Sequence, residues 1–376
     1  MAPLLAVSAG WRGAEGLAGL VQQHPGQGVL RIDLGAVVAN WRDLGARHGA
    51  PVAGVVKADA YGLGAAAVAR ALRDAGCGFF FVAHLTEGLA LRAALGAGPE
   101  VAVLNGFPPG ADEDAGLLPV LNSLGDVEAW HGRGRTALLH LDTGMARLGL
   151  DAREQAALAQ DRGRLDGIAL RYVMTHLACA DEPGHPMNER QRARFADAAA
   201  RIAPGVKRSL ANSSGIFLDE GFRSDLARPG CAMYGINPTP GAANPMRQVV
   251  RVEAEVLQVR EIAAGDTVGY GASWTAPAPR RIATVAAGYA DGYLRSLSGR
   301  SLGLLHGRAA PLVGRVSMDL TTFDVTHIPE AKPGDRMLLV GGEGNTPDDI
   351  AARCGTIGYE ILTSLGARYA RLHEGA

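Results

Sequence analysis

VAGVVKADAYGLGAAAVARALRDAGCGFFFVAHL (residues 52–85) sets two short apolar runs on either side of a segment with helical spacing. The runs, VAGVVKA (52–58) and FFFVAHL (79–85), are nearly continuous in apolar residues, as strands buried on both faces must be. Between them GAAAVARALRDAG (64–76) carries an amphipathic period and ends in a glycine stop. The pattern is strand, helix, strand, and it continues outward from there.

Further runs follow at EVAVLN (100–105), LPVLNS (118–123), ALLHLDTG (137–144), IALRYVMTHLA (168–178), VKRSLANSS (206–214) and DLARPGCAMYG (225–235). Helical segments lie between several of them: 86–98, with Thr86 as a cap and Glu87 in its first turn, then 151–165 and 187–203. Eight strands alternating with helices predict an α/β fold, a (β/α)8 TIM-like barrel. A doubly wound open sheet is the alternative, since closure is not written in sequence, but no G-x-G-x-x-G follows the first strand. The texture changes at NPTPGAANPM (237–246), which reads as a linker. Beyond it come 251–262, 281–290, 301–307, 310–316, 320–325 and 336–342, short alternating strands divided by turn signals. These predict a mainly β C-terminal domain with one late helix near 347–366. The expected organisation is an N-terminal extension (1–28), a barrel (29–243) and the β domain (244–376).

A chain of 376 residues suits two domains better than one core. Its formal net charge of −1 provides no basic field for a nucleic acid or an anionic membrane. No apolar run is long enough to span a bilayer, and no basic segment precedes the short apolar start, so neither a membrane anchor nor a signal peptide is expected. Cys77, Cys179, Cys231 and Cys354 are widely spaced and form no metal-type pair. They read as reduced thiols of a cytoplasmic protein without a metal site.

Chemistry in a β/α barrel belongs at the C-terminal ends of its strands. Lys57 closes the first run, where burial would lower its pKa and free its amine to condense with an aldehyde. The bland alternative is a lysine whose head reaches solvent at a strand end. Asp142, Arg147, His176, Asn212, Ser213 and Arg228 end other runs, and their convergence on one mouth is more telling than any of them alone. The hydroxyls of Tyr61 and Ser213, with backbone N–H groups near Gly230, form a potential phosphate cradle.

VVKADAYGLG resembles the cofactor-lysine signature of the alanine racemases. The likeness extends through LDTGMARLG, VMTHLACADE, LANSSG, LARPGCAMYG, TVGYGASW, AAGYADGYLR, GRVSMD and GTIGYEILTSLGAR, in the family's order over about residues 29–371. The resemblance implies a pyridoxal 5′-phosphate (PLP) enzyme that interconverts L- and D-alanine by two bases and provides D-alanine for peptidoglycan. Lys57 would bind the cofactor and serve as one base. Tyr270 would be the other, acting across a homodimer on the partner's cofactor. His176 would pack against the pyridine ring and Arg228 would contact its nitrogen. Tyr61, Ser213 and Tyr359, with the backbone of Gly230 and Cys231, match phosphate positions, and Asn212 is expected among the cofactor contacts. Arg147 would meet the cofactor phenolate and the substrate carboxylate, Met318 that carboxylate too, and Tyr289 the entrance.

Three positions depart from the family pattern. His140 stands where a lysine, often carbamylated, commonly orients the arginine matching Arg147; Leu63 and Ser317 replace a frequent histidine and a frequent cysteine. A PLP decarboxylase on the same barrel is disfavoured, because no Glu-Pro-Gly-Arg motif occurs and Arg228 fills the place of a carboxylate. A non-catalytic PLP-binding protein would lack the second domain, whereas a racemase preferring serine or of broad range stays open.

Overall fold

The computed structural model describes residues 27–108 and 115–375. The expected N-terminal extension, 1–28, lies outside the described residues except for its last two positions. The chain divides into two compact units. One holds Arg251–Gly342 and Leu365–Leu372 with the described residues up to Arg31; the other holds Ile32–Val250, Glu343–Ser364 and the residues from His373 on.

The larger unit is the TIM-like barrel. Seven parallel strands follow one another in chain order: Gly54–Val55, Phe79–Val82, Glu100–Val103, Leu118–Leu121, Arg135–His140, Ile168–Met174 and Arg208–Ser209. All four residues of Phe79–Val82 are buried, which is why the sequence there shows no polar alternation. Register is set by pairs such as Gly54 with Phe80, Phe80 with Val101, and Val173 with Arg208. The eighth run contributes one parallel bridge, Val52 with Ala227, in place of a strand. Ala53 N–H donates to Ala227 O at 2.9 Å and Ala227 N–H to Pro51 O at 3.1 Å, which closes the circle. Pro229 has no N–H to extend that pairing, and the chain turns instead into the 3₁₀ segment Cys231–Tyr234.

Helices cover the outside of the barrel as the periodicity requires. Leu139 and Val173 on the strands pack with Leu158, Phe195, Ala199 and Ile202 on two helices, all buried. Two local readings change. The helix expected to be capped by Thr86 is Leu85–Leu95, with His84 as its N-cap, because Glu87 accepts the His84 N–H at 3.0 Å. The late helix is two helices, Pro347–Cys354 and Gly358–Thr363, separated by Gly355 in the left-handed region (φ 73).

The smaller unit is built on the strand Val250–Ile262, which pairs antiparallel with Arg336–Val340 and Arg280–Val285. Leu302–Leu305 and Arg308–Pro311 extend one side, and Thr321–Asp324 pairs with Arg280–Val285. The strands Gly28–Asp33 and Ala370–Glu374 belong to the same sheet. Among the described residues no helix is long and apolar enough to cross a membrane.

Candidate active site

Lys57 leaves the strand Gly54–Val55 and enters an unusual backbone. Ala58, Asp59, Ala60 and Tyr61 all have left-handed dihedrals, with φ between 52° and 59°. Each non-glycine residue so placed costs about 1–2 kcal/mol, so the surroundings must over-determine the turn. The result aims Lys57 and Tyr61 into one cavity of about 240 Å³ at the barrel mouth, together with Arg147, His176, Asn212, Ser213, Arg228, Gly230, Cys231 and Tyr359. Ten positions singled out from sequence therefore share one enclosure, all in the larger unit.

One end of the cavity is lined by neutral donors. Tyr61 is buried, its ring 4.8 Å from that of Tyr234 and 6.4 Å from that of Tyr359, to which it stands nearly edge-on. Burial raises its phenol, and that of Tyr359, far above the ordinary tyrosine range, so both are neutral O–H groups. A Cβ on Gly230 would lie 2.2 Å from the Tyr61 hydroxyl, so only glycine lets that phenol approach the backbone. Ser213 Oγ accepts from the N–H groups of Gly230 at 2.9 Å and Ala232 at 3.3 Å. Asn212 shapes this corner: its Oδ1 accepts from Gly215 N–H and its Nδ2 donates to Leu177 O.

Lys57 lines the same cavity. Burial lowers its pKa, the Arg147 charge lowers it further, and Glu87 opposes both. Arg228 is almost wholly buried, and burial lowers its pKa to about 10, which leaves it cationic at neutral pH. Its guanidinium donates to Ser209 Oγ and to Thr175 O, both at 2.5 Å. Those two anchors were not singled out from sequence, although both sit at strand ends. Burial and then the charges of Arg228, Arg147, His140 and Lys57 push His176 well below the ordinary imidazole range, so its ring is neutral.

Arg147 rides on a loop that Asp142 builds, since one carboxylate accepts the N–H groups of Gly144, Met145 and Ala146 at 2.9–3.0 Å. Asp142, read from sequence as a polar group at the mouth, is thereby occupied with backbone. The departure at His140 also finds an account. Asn122 donates to Leu104 O and Val120 O, so its Oδ1 faces His140 Nδ1 at 2.9 Å and must accept from it. That fixes the proton on Nδ1 and leaves Nε2 as an acceptor. Burial and Arg228 lower the pKa of His140 to about 4. A Cβ at Gly149 would stand 2.9 Å from the His140 ring, so the Arg147 loop is packed directly against it. Asn122, invisible as a site residue in the sequence, was detectable only as the polar end of its run.

Tyr270, Tyr289 and Met318 belong to the smaller unit, and all three are exposed there, at 72%, 42% and 54%. Tyr270 sits on a tight turn between Gly269 (φ 75) and Gly271 (φ 72), beside a cleft of about 620 Å³ that Arg315 and Ser317 also line. Tyr289 N–H donates to Ser317 O and Ala290 N–H to Met318 O, both at 3.0 Å, so the Tyr289 and Met318 segments are stitched together. Ser317 Oγ donates to Leu320 O at 2.6 Å, a turn-building contact at the position where a thiol is frequent.

The family model for the alanine racemase N-terminal domain matches residues 32–238, and that for the alanine racemase C-terminal domain matches 249–373. The alanine racemase of Acidiphilium cryptum is 56% identical over 357 residues, spanning 93% of this chain and 98% of that protein. The catabolic alanine racemase of Mesorhizobium japonicum is 48% identical over 378 residues, spanning 97% and 96%. Among solved structures, alanine racemase from Bartonella henselae with covalently bound pyridoxal phosphate is similar at a TM-score of 0.89 and 40% identity, covering 93% of this chain and 100% of that one. The biosynthetic alanine racemase of Pseudomonas aeruginosa gives 0.85 and 36%, covering 93% and 99%.

His140 has a consequence for stability. Its pKa is about 4 folded against an ordinary 6.5, so the unfolded chain binds more protons between those values and stability falls as pH drops from 6.5 to 4. His140→Gln should remove part of this acid sensitivity, about 1–2 kcal/mol, while leaving the neutral-pH arm less affected. Urea unfolding at pH 7.5 and pH 4.5 reads it; an unchanged difference between the two pH values would refute the assignment.

Proposed function

Since this chain belongs to the alanine racemase family, and is a PLP-dependent enzyme that interconverts L- and D-alanine, we propose that Lys57 and Tyr270 are its two bases. The observation that carries the reading is the Lys57 amine, held with a lowered pKa in a cavity that also offers hydroxyl and backbone donors.

The residues present fit the cofactor. The hydroxyls of Tyr61, Ser213 and Tyr359, with the N–H groups of the Gly230–Cys231 segment, would hold its phosphate in the cradle that a Cβ at Gly230 would fill. Lys57 would hold its aldehyde carbon, the neutral His176 ring would pack against the pyridine face, and Asn212 would border it. When bound, PLP supplies an electron-withdrawing ring that acidifies the amino acid's α-hydrogen.

The chain's own groups do the rest. Lys57 Nζ, whose hold on a proton is weakened by burial and the Arg147 charge, takes or returns a proton on one face of the α-carbon. The Tyr270 hydroxyl does so on the opposite face, which is what inversion of a stereocentre requires. Arg228 would meet the ring nitrogen and, as an arginine, would not surrender a proton to it, which would favour return of the proton to carbon. Arg147 and the Met318 backbone would hold the substrate carboxylate, with His140, neutral and fixed by Asn122, steadying the Arg147 loop. Tyr289 would border the entrance.

A homodimer with shared sites is part of the proposal. Tyr270, Tyr289, Met318 and Leu320 are four large side chains exposed on one unit, which supports a partner surface there. The buried thiols of Cys77 and Cys231 favour a reducing cytoplasm, where the product D-alanine would serve peptidoglycan synthesis.

The deciding experiment incubates the purified protein and PLP with L-alanine, L-serine and L-lysine separately and analyses the products on a chiral column. Alanine should racemise fastest; serine outrunning it would replace the substrate assignment. Lys57→Ala should lose both turnover and the lysine-linked visible absorbance of the bound cofactor. Tyr270→Phe should slow α-proton exchange about 10²–10⁴-fold and unequally for the two enantiomers. Small, equal losses would reduce Tyr270 to packing. Light scattering should return twice the chain mass, and a monomer that retains full activity would rule out sharing.

A further inference from the structure

The left-handed turn after Lys57 needs a restraint, and one side chain reaches it from another strand–helix loop. Glu87, in the first turn of Leu85–Leu95, accepts the Ala58 N–H on Oε1 at 2.7 Å. Its Oε2 accepts the Ala83 N–H at 2.7 Å and the His84 N–H at 3.0 Å. A single carboxylate thus binds three backbone donors and joins the residue next to Lys57 to the loop after Phe79–Val82. Within the turn Ala60 N–H donates to Val56 O, Gly64 N–H to Asp59 O, and Ala65 N–H to Asp59 Oδ1, and its far end is packed through the Tyr61 ring against Tyr234 and Tyr359. Those contacts hold the turn and its far end, whereas the Glu87 contact fixes its first residue to the loop after Phe79–Val82.

We propose that Glu87 is a positioning residue for Lys57, its carboxylate clamping the left-handed turn so that the amine points into the cavity. The inference rests on the reading of Lys57 as the cofactor-binding lysine. It goes further by giving a job to a residue that otherwise looks like an ordinary first-turn acid. Charge adds a second effect. The groups facing Lys57 are Arg147 and His176 from neighbouring loops and Glu87, with Arg228, Tyr61 and Tyr359 around the same cavity. Glu87 is the anion of that set, and it favours the protonated amine against burial and Arg147. The clamp therefore aims the nucleophile and also keeps its pKa from falling further.

The two effects separate experimentally. Apo-protein is mixed with PLP, and capture at lysine is followed by absorbance across pH and confirmed by borohydride trapping and peptide mapping. Glu87→Gln keeps the shape but loses the charge and at least one of the three acceptances. Capture should slow about tenfold, the order of one left-handed residue's strain, and its pH midpoint should move down, because removing an anion makes the amine easier to deprotonate. Ala58→Gly removes the strain at Ala58. Added to E87Q, it should restore the rate and leave the midpoint lowered, a split that loss of general stability would not produce. Near-ultraviolet circular dichroism checks folding; if E87Q alone does not fold, A58G against A58G/E87Q makes the same comparison.

Wild-type rate and midpoint in E87Q would overturn the proposal, as would a slowing that A58G does not relieve. If capture persists in Lys57→Ala, the reading of Lys57 fails and this one with it. Capture that is lost in Lys57→Ala but unaltered in E87Q removes Glu87 alone.

Discussion

An amine whose hold on its proton is weakened by leaving water is the condition on which the rest of this site depends. Water solvates ammonium far better than any barrel interior, so burial lowers the pKa of Lys57. The Arg147 guanidinium strengthens the effect, and an arginine cannot relieve the crowding by losing its own proton at neutral pH. The histidines shift in the same direction: His176 and His140 remain uncharged because burial and the guanidinium groups of Arg228 and Arg147 disfavour a further positive charge. The cavity thus keeps its permanent charge on Arg147 and Arg228 and weakens the hold of the bases near them on a proton.

The fold was legible because its signal is local. Runs such as FFFV are buried on both faces and show it in composition, and the period of GAAAVARALRDAG marks the helix between two strands. The barrel's closure was not legible, because it rests on one bridge between Val52 and Ala227, which are far apart in the chain. Helix ends were misplaced where a side chain from inside the helix decided them, as Glu87 does by making His84 the cap in place of Thr86.

The site was legible to the extent that its residues end strands. Lys57, His176, Ser213 and Arg228 could be found that way, and the resemblance to the alanine racemases gave them roles. The supporting contacts could not be found, since each crosses from one strand–helix loop to another: Asn122 to His140, Ser209 and Thr175 to Arg228, Glu87 to Ala58. Such contacts have no characteristic spacing. Replacement of the commonly occurring lysine by His140 illustrates the difference. The sequence exposes the gap, and only the Asn122 amide, whose donors are taken by Leu104 and Val120, shows which tautomer fills it.

The barrel's seam has a further implication. Gly54–Val55 and Arg208–Ser209 are two residues each, and among the described residues the segment carrying Ala227 meets the first strand through one bridge, to Val52. Lys57 and Arg228 emerge from the two sides of this thinly laced join. A molecule gripped by both would act as a suture across that join. Occupancy and structural integrity are then coupled at the catalytic edge of the barrel.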